Sequence, residues 1–165
     1  MLRLSLEWWT SYAALGVMAI ACHHGTGGSA GRAEAEPMDS VRGKVQVVGV
    51  EALPTIILAP DGGRPAVTLI GPPSLRRVAG LTIVAIGRLA GSKLTVQQFT
   101  VVAANGVPAT DGRLVADGAA LYLETADRVR HRLVQPSPRL WAEAGRRVWV
   151  SGPLDHEPVA YGIIE

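Results

Sequence analysis

The chain has 165 residues, enough for one ordinary domain or two very small ones. Apolar residues make up 48% of it, sufficient for a packed core, while aromatic residues are only 5%, which argues against a protein that works by stacking on flat ligands. The formal charge is +2, from 14 Arg and 2 Lys against 14 acidic residues, and so small an excess argues against a nucleic-acid binder. With a single cysteine, an internal disulfide is impossible, and a cysteine-based zinc site would lack ligands.

At the start of the chain, Arg3 precedes a mostly apolar run from Trp8 to Ala21. This has the length of a secretory h-region and is too short, and too interrupted by Thr10 and Ser11, for a membrane-spanning helix. The run ends in Ala19-Ile20-Ala21-Cys22. That segment resembles the lipobox of bacterial lipoproteins, where small residues precede a lipidated cysteine. Ile20 and Ala21 match the pattern, whereas Ala19 stands where Leu is usual and Glu7 departs from the basic n-region. The resemblance implies a signal peptide over residues 1–21, lipidation at Cys22 and an extracytoplasmic protein held to a membrane by its lipid. His23 stands where, in that family, an Asp favours retention in the inner membrane. In a cell with two membranes the expected location is therefore the periplasmic face of the outer one. Residues 22–40, beginning Cys22-His23-His24-Gly25, are small, polar and Gly-rich and read as a flexible tether.

Beyond the tether the sequence repeats. Gly80-Leu81-Thr82-Ile83-Val84-Ala85-Ile86-Gly87 aligns with Gly145-Arg146-Arg147-Val148-Trp149-Val150-Ser151-Gly152, 65 residues further on. Upstream, Gly43-Lys44-Val45 parallels Gly112-Arg113-Leu114 at an offset of 69. The expected units are β repeat 1 over residues 41–110 and β repeat 2 over 111–165. In chain order the first holds strands at Gly43–Val50, Thr55–Ala59 and Ala66–Ile70, a helical turn at Ser74–Val78, then strands at Leu81–Leu89 and Leu94–Val102. The second holds Arg113–Ala116, Ala120–Glu124 and Arg130–Val134, a helical turn at Arg139–Ala144, then Arg147–Gly152 and Val159–Ile164. These runs are rich in Val, Ile and Leu, and Asp61-Gly62-Gly63 and Asp111-Gly112 can supply turn positions with positive φ. The expectation is an all-β fold.

Three strands, a helical connection and two strands resemble the order of an OB fold, and the resemblance implies two tandem five-stranded OB-like small barrels. One β-sandwich or barrel assembled from both repeats is the alternative. It has the merit that an isolated barrel of this size has a marginal core.

Arg128-Val129-Arg130-His131-Arg132 is the most informative polar cluster. In an extended chain its period of two puts Arg128, Arg130 and Arg132 on one face. Trp149 shares a face with Arg147 if that strand alternates, with Val148 and Val150 inward. These five residues form the candidate ligand surface, suited to an anionic or saccharide ligand. Equally, Glu124, Asp117 and Asp127 could balance the arginines, and Trp149 could be the seam between repeats. Asp155-His156-Glu157 carries the side-chain types of a divalent-ion site, and also those of a solvated turn before Pro158. Outside the tether there is no Gly-x-Ser-x-Gly elbow, and the only histidines there are His131 and His156. No catalytic residue and no cofactor is therefore assigned. The reading is a non-enzymatic, lipid-anchored binding or interaction module of the cell envelope, with an envelope protein or an anionic or saccharide ligand as partner rather than nucleic acid. Two alternatives stand beside it: a structural or assembly subunit using outward positions such as Val84 and Ile86, and a metal-binding or hydrolytic protein using His131 or Asp155–Glu157.

Overall fold

A computed structural model describes residues 38–50 and 54–165. The expected signal peptide, Cys22 and nearly all of the tether lie outside the described residues. Within them the protein is all-β, with ten strands, a 3-10 turn at Pro73–Val78 and one short helix, α1, at Pro138–Trp141.

The strands are β1 (Asp39–Val48), β2 (Thr55–Pro60), β3 (Val67–Ile70), β4 (Thr82–Ala90), β5 (Lys93–Ala104), β6 (Val107–Asp117), β7 (Ala120–Glu124), β8 (Arg130–Arg132), β9 (Arg147–Ser151) and β10 (Ala160–Ile163). Their alternation is that of half-buried strands. On β1, Val41, Gly43 and Val45 are buried between exposed Arg42 and Lys44. On β9, Val148 and Val150 are buried between Arg147 and Trp149.

In the first half the pairings close into a ring. β1 pairs antiparallel with β2 and β4, β2 with β3, and β4 with β5. The ring is completed by a parallel pairing of β3 with β5. In the second half β6 is central, pairing antiparallel with β7 and with β9. β8 extends the sheet from β7, and β10 extends it from β9.

Two strand starts differ from expectation by more than one residue, and one physical reason covers the larger difference. The halves are joined by a hairpin at Asn105-Gly106, whose φ values are 50° and 81°. Asn-Gly tolerates positive φ at both central positions of such a turn, so β5 leads straight into β6. Asp111-Gly112, expected to supply a turn, instead lies inside β6, which begins at Val107 rather than Arg113. β1 likewise begins at Asp39, ahead of Gly43.

Gly43 and Gly112 occupy the same place in their halves. A Cβ on Gly43 would run into the carbonyl of Ala59, and one on Gly112 into the carbonyl of Glu124. Only glycine lets the first strand of each half pass so close to the second. The same backbone bonds then recur nearby. Gly80 N–H donates to the Val45 carbonyl at 2.8 Å and Val45 N–H to that of Leu81 at 2.9 Å. Gly145 N–H donates to Leu114 at 2.8 Å and Leu114 N–H to Arg146 at 2.9 Å. Both glycines have positive φ, 84° and 88°.

Two apolar clusters fill the halves. The first is built around Val45, Leu58, Leu75, Ile83 and Leu94, and the second around Leu114, Leu121, Leu123, Leu140 and Val148. They are not independent: Ile164, beyond β10, is fully buried in the first cluster, and Ala109 and Trp149 pack against it. The second half thus contributes side chains to the core of the first.

Gly43→Ala and Gly112→Ala should each cost about 2 kcal/mol or more of unfolding free energy in urea titrations, because backbone rather than a movable side chain occupies the space. Ser74 is buried, and among the described residues its hydroxyl has no hydrogen-bond partner. Ser74→Ala should therefore stabilise the protein by roughly 1 kcal/mol, read as a rise in Tm.

Candidate functional site

The site is built where β9 meets the first half. Val148 and Val150 point into the second core, so Arg147 and Trp149 share the opposite face, as alternation requires. That face is not open to solvent. The Arg147 guanidinium lies over the Phe99 ring, 4.6 Å from its centroid. Its Nε donates to Asp111 Oδ2 at 3.0 Å, and its Nη2 donates both to the same oxygen and, at 2.6 Å, to the Phe99 carbonyl. Arg147 Nη1 lies 3.8 Å from a Glu165 carboxylate oxygen. One planar cation therefore ties β9 to β6 and to β5 of the first half.

Asp111 is the buried partner, with its side chain only 5% exposed. Burial pushes its carboxyl above the ordinary value of 3.8, against the opposing pull of Arg147. Trp149 sits at the same seam. Its indole lies across Gly162 of β10, where a Cβ would come within 2.6 Å of Nε1.

Beside Arg147 opens a polar cleft of about 320 Å³. Gln98 and Thr100 of β5 form one wall, and Arg113, Glu124, Thr125 and Arg128 the other. Arg113 donates through Nη1 to the Gly145 carbonyl at 2.7 Å. Glu124 accepts from Arg130 Nε at 2.8 Å and lies 3.6 Å from Arg128 Nη1. The Arg130 hydrogen bond holds the Glu124 carboxyl below its ordinary 4.5.

The three arginines expected on one extended face are split. Arg130 and Arg132 lie on β8 and point outward, but Arg128 sits in a turn with φ of 67°. Thr125 makes that turn: its N–H and hydroxyl both donate to the Val129 carbonyl at 3.0 Å, and its carbonyl accepts from Arg128 N–H at 2.9 Å. Arg128 is thereby brought to the cleft with Arg147, while Arg132 is not. The five candidate residues consequently fall into three places: Arg128 and Arg147 at the cleft, Trp149 in the seam, and Arg130 and Arg132 on the outer edge of β8.

In the loop before β10, Asp155 Oδ1 lies 2.9 Å from His156 Nδ1, with both side chains largely exposed. That contact holds the Asp155 carboxyl below 3.8. Glu157 lines a different cleft, against α1. Among the described residues no group of three or more His, Cys, Asp or Glu side chains is gathered as a metal ion would need.

Phe99 and Asp111 are the residues that local sequence signals miss. The usable signal for Asp111 is Asn105-Gly106: starting β6 there puts Ala109 and Asp111 on one face, and Ala109 packs on the first core. No family model, no curated protein and no solved structure matches this chain.

Arg147→Ala leaves the Asp111 carboxylate buried without its cation, and should cost about 3 kcal/mol in urea unfolding. The double variant Asp111→Asn with Arg147→Ala should lose less than the two single losses added together. In a carboxyl NMR titration of the wild type, Asp111 should titrate above 3.8 and Glu124 below 4.5. The sign for stability follows: the Asp111 contribution is complete below pH 3.8 and declines as pH rises through its raised midpoint, and that of Glu124 is present above 4.5 and declines as pH falls. Asp111→Asn should remove the first decline and leave the second.

Proposed function

We propose that this is a lipid-anchored protein of the cell envelope, held through Cys22, whose body is a non-enzymatic binding or interaction module made of two tandem OB-like units. The reading of the address rests on Ala19-Ile20-Ala21-Cys22 followed by a small, Gly-rich stretch. The reading of the body rests on a shared order. Each half runs three strands, a helical turn and two strands, with the first strand flanked by the second and the fourth. Gly43 with Gly112, and Gly80 with Gly145, keep their places in that order.

The single observation that carries the binding role is the polar cleft between the halves, with Arg128 at its mouth and Arg147 in its wall. Its amide, hydroxyl and guanidinium groups suit an anionic or saccharide ligand, and OB-like folds are known for binding chains of that kind. A second reading, assembly into a larger envelope structure, is favoured by Val47, Val48 and Val50, which expose aliphatic surface on one end of the first half.

The address is tested by mass spectrometry of the protein recovered from bacterial membranes. An acylated Cys22 is expected, with Cys22→Ser abolishing the modification and moving the protein to the soluble fraction. A free thiol at Cys22 in membrane-recovered protein would overturn the reading.

A further inference from the structure

The two halves differ at one seam. In the first, β3 runs parallel to β5 through Thr68–Lys93, Leu69–Leu94 and Ile70–Thr95. Thr68 N–H donates to the Ser92 carbonyl at 2.8 Å, and the ring closes there. In the second half, among the described residues, β8 pairs with β7 alone and β10 with β9 alone.

Strand register identifies the missing partners. Leu58 faces Val67 in the first half as Leu123 faces His131 in the second. Arg132, Leu133 and Val134 therefore stand where Thr68, Leu69 and Ile70 stand. The burial agrees, for Leu69 and Leu133 are both buried while Ile70 and Val134 are both exposed. The ladder pairs Ile83–Val101 and Ala85–Phe99 of the first half correspond to Val148–Ile163 and Val150–Tyr161 of the second, so the counterparts of Lys93, Leu94 and Thr95 fall at Asp155, His156 and Glu157, in the loop before β10. Leu94 is fully buried, whereas Asp155, His156 and Glu157 are all exposed. The second half is thus open where the first is closed, and Gln135, Ser137, Leu140 and Val159 line a cleft of about 370 Å³ beside the opening.

The free edge of β8 has its hydrogen-bonding groups in place. Leu133 N–H donates to Leu121 on β7, and the Val129 carbonyl accepts from Thr125 N–H. Along a strand these groups alternate in direction, so the N–H and C=O of Arg130, Arg132 and Val134 point away from β7, into the opening.

We propose that this edge docks an extended polypeptide segment of another protein, laid parallel to β8, with aliphatic side chains inward and acidic ones outward. The closed half supplies the inward rule, since β5 buries Leu94 and Val96 between exposed Lys93 and Thr95. Charge supplies the outward rule. Arg132 projects from β8 and Arg139 stands on α1, and among the described residues neither makes an ion pair with a carboxylate, whereas Arg130 is held by Glu124. Main-chain bonds would give affinity and the alternating side chains specificity. This proposal rests on reading the second half as a copy of the first. It is independent of acylation at Cys22, so the two can fail separately.

The test uses the full chain, labelled with 15N, and a capped ten-residue peptide of alternating Glu and Val. Saturable binding is expected, with amide exchange slowed at least about tenfold at Arg130, Arg132 and Val134. Arg132→Glu, on an exposed side chain, should weaken binding roughly tenfold. A peptide N-methylated at alternate residues should leave those three amides exchanging freely. Absence of binding at millimolar peptide would overturn the proposal and assign the arginines to guarding the edge against pairing. Binding that leaves exchange at these amides unchanged would also overturn it, since charge attraction alone behaves that way.

Discussion

The constraint on which the rest of this structure depends is the close crossing at Gly43 and at Gly112. The first strand of each half must pair along both edges, with the second strand on one side and the fourth on the other. A sheet can do this and still curl over a core only if its central strand bends hard against a neighbour. At both glycines the neighbouring carbonyl occupies the space where a side chain would begin. Once that bend is made, Gly80 and Gly145 can return the chain to the first strand through their backbone bonds, and the apolar faces turn inward.

The second organising feature is the joining of the halves. Each apolar cluster is small, and a small core is marginal by itself. Ile164, Ala109 and Trp149 extend the first cluster with residues of the second half. Arg147 and Asp111 then put a charged pair at the seam, partly withdrawn from water. Such a pair adds little net stability over an apolar contact, but it fixes orientation, because breaking it strands a buried carboxylate. It also places a cation in the wall of the polar cleft. Architecture and candidate chemistry thus share one residue.

Much of the fold was legible in the sequence, for a physical reason. Val, Ile and Leu alternate with polar residues over short runs, and Gly, Pro and Asp-Gly interrupt them. The resulting strand positions agree closely with the ladders, including the alternation of Arg147, Val148, Trp149 and Val150. Asp111-Gly112 misled because the dipeptide suits a turn as well as a crowded strand, and only the neighbouring strand decides which. The candidate site was less legible. Arg147 was a visible candidate, but its partners Asp111 and Phe99 lie 36 and 48 residues away in the chain. Arg128 looked like part of an extended arginine face until Thr125 drew the segment into a turn.

By itself, then, the sequence determined the β class, the location of nearly every strand and the inward and outward faces of β9, since these follow from local alternation and turn chemistry. It also presented Cys22 where a lipid anchor would need it. Tertiary structure alone decided that Arg147 faces Asp111 and Phe99 rather than solvent, and that the first ring closes while the second stays open. Those outcomes depend on which strand edges meet across the fold. No residue carries that information locally.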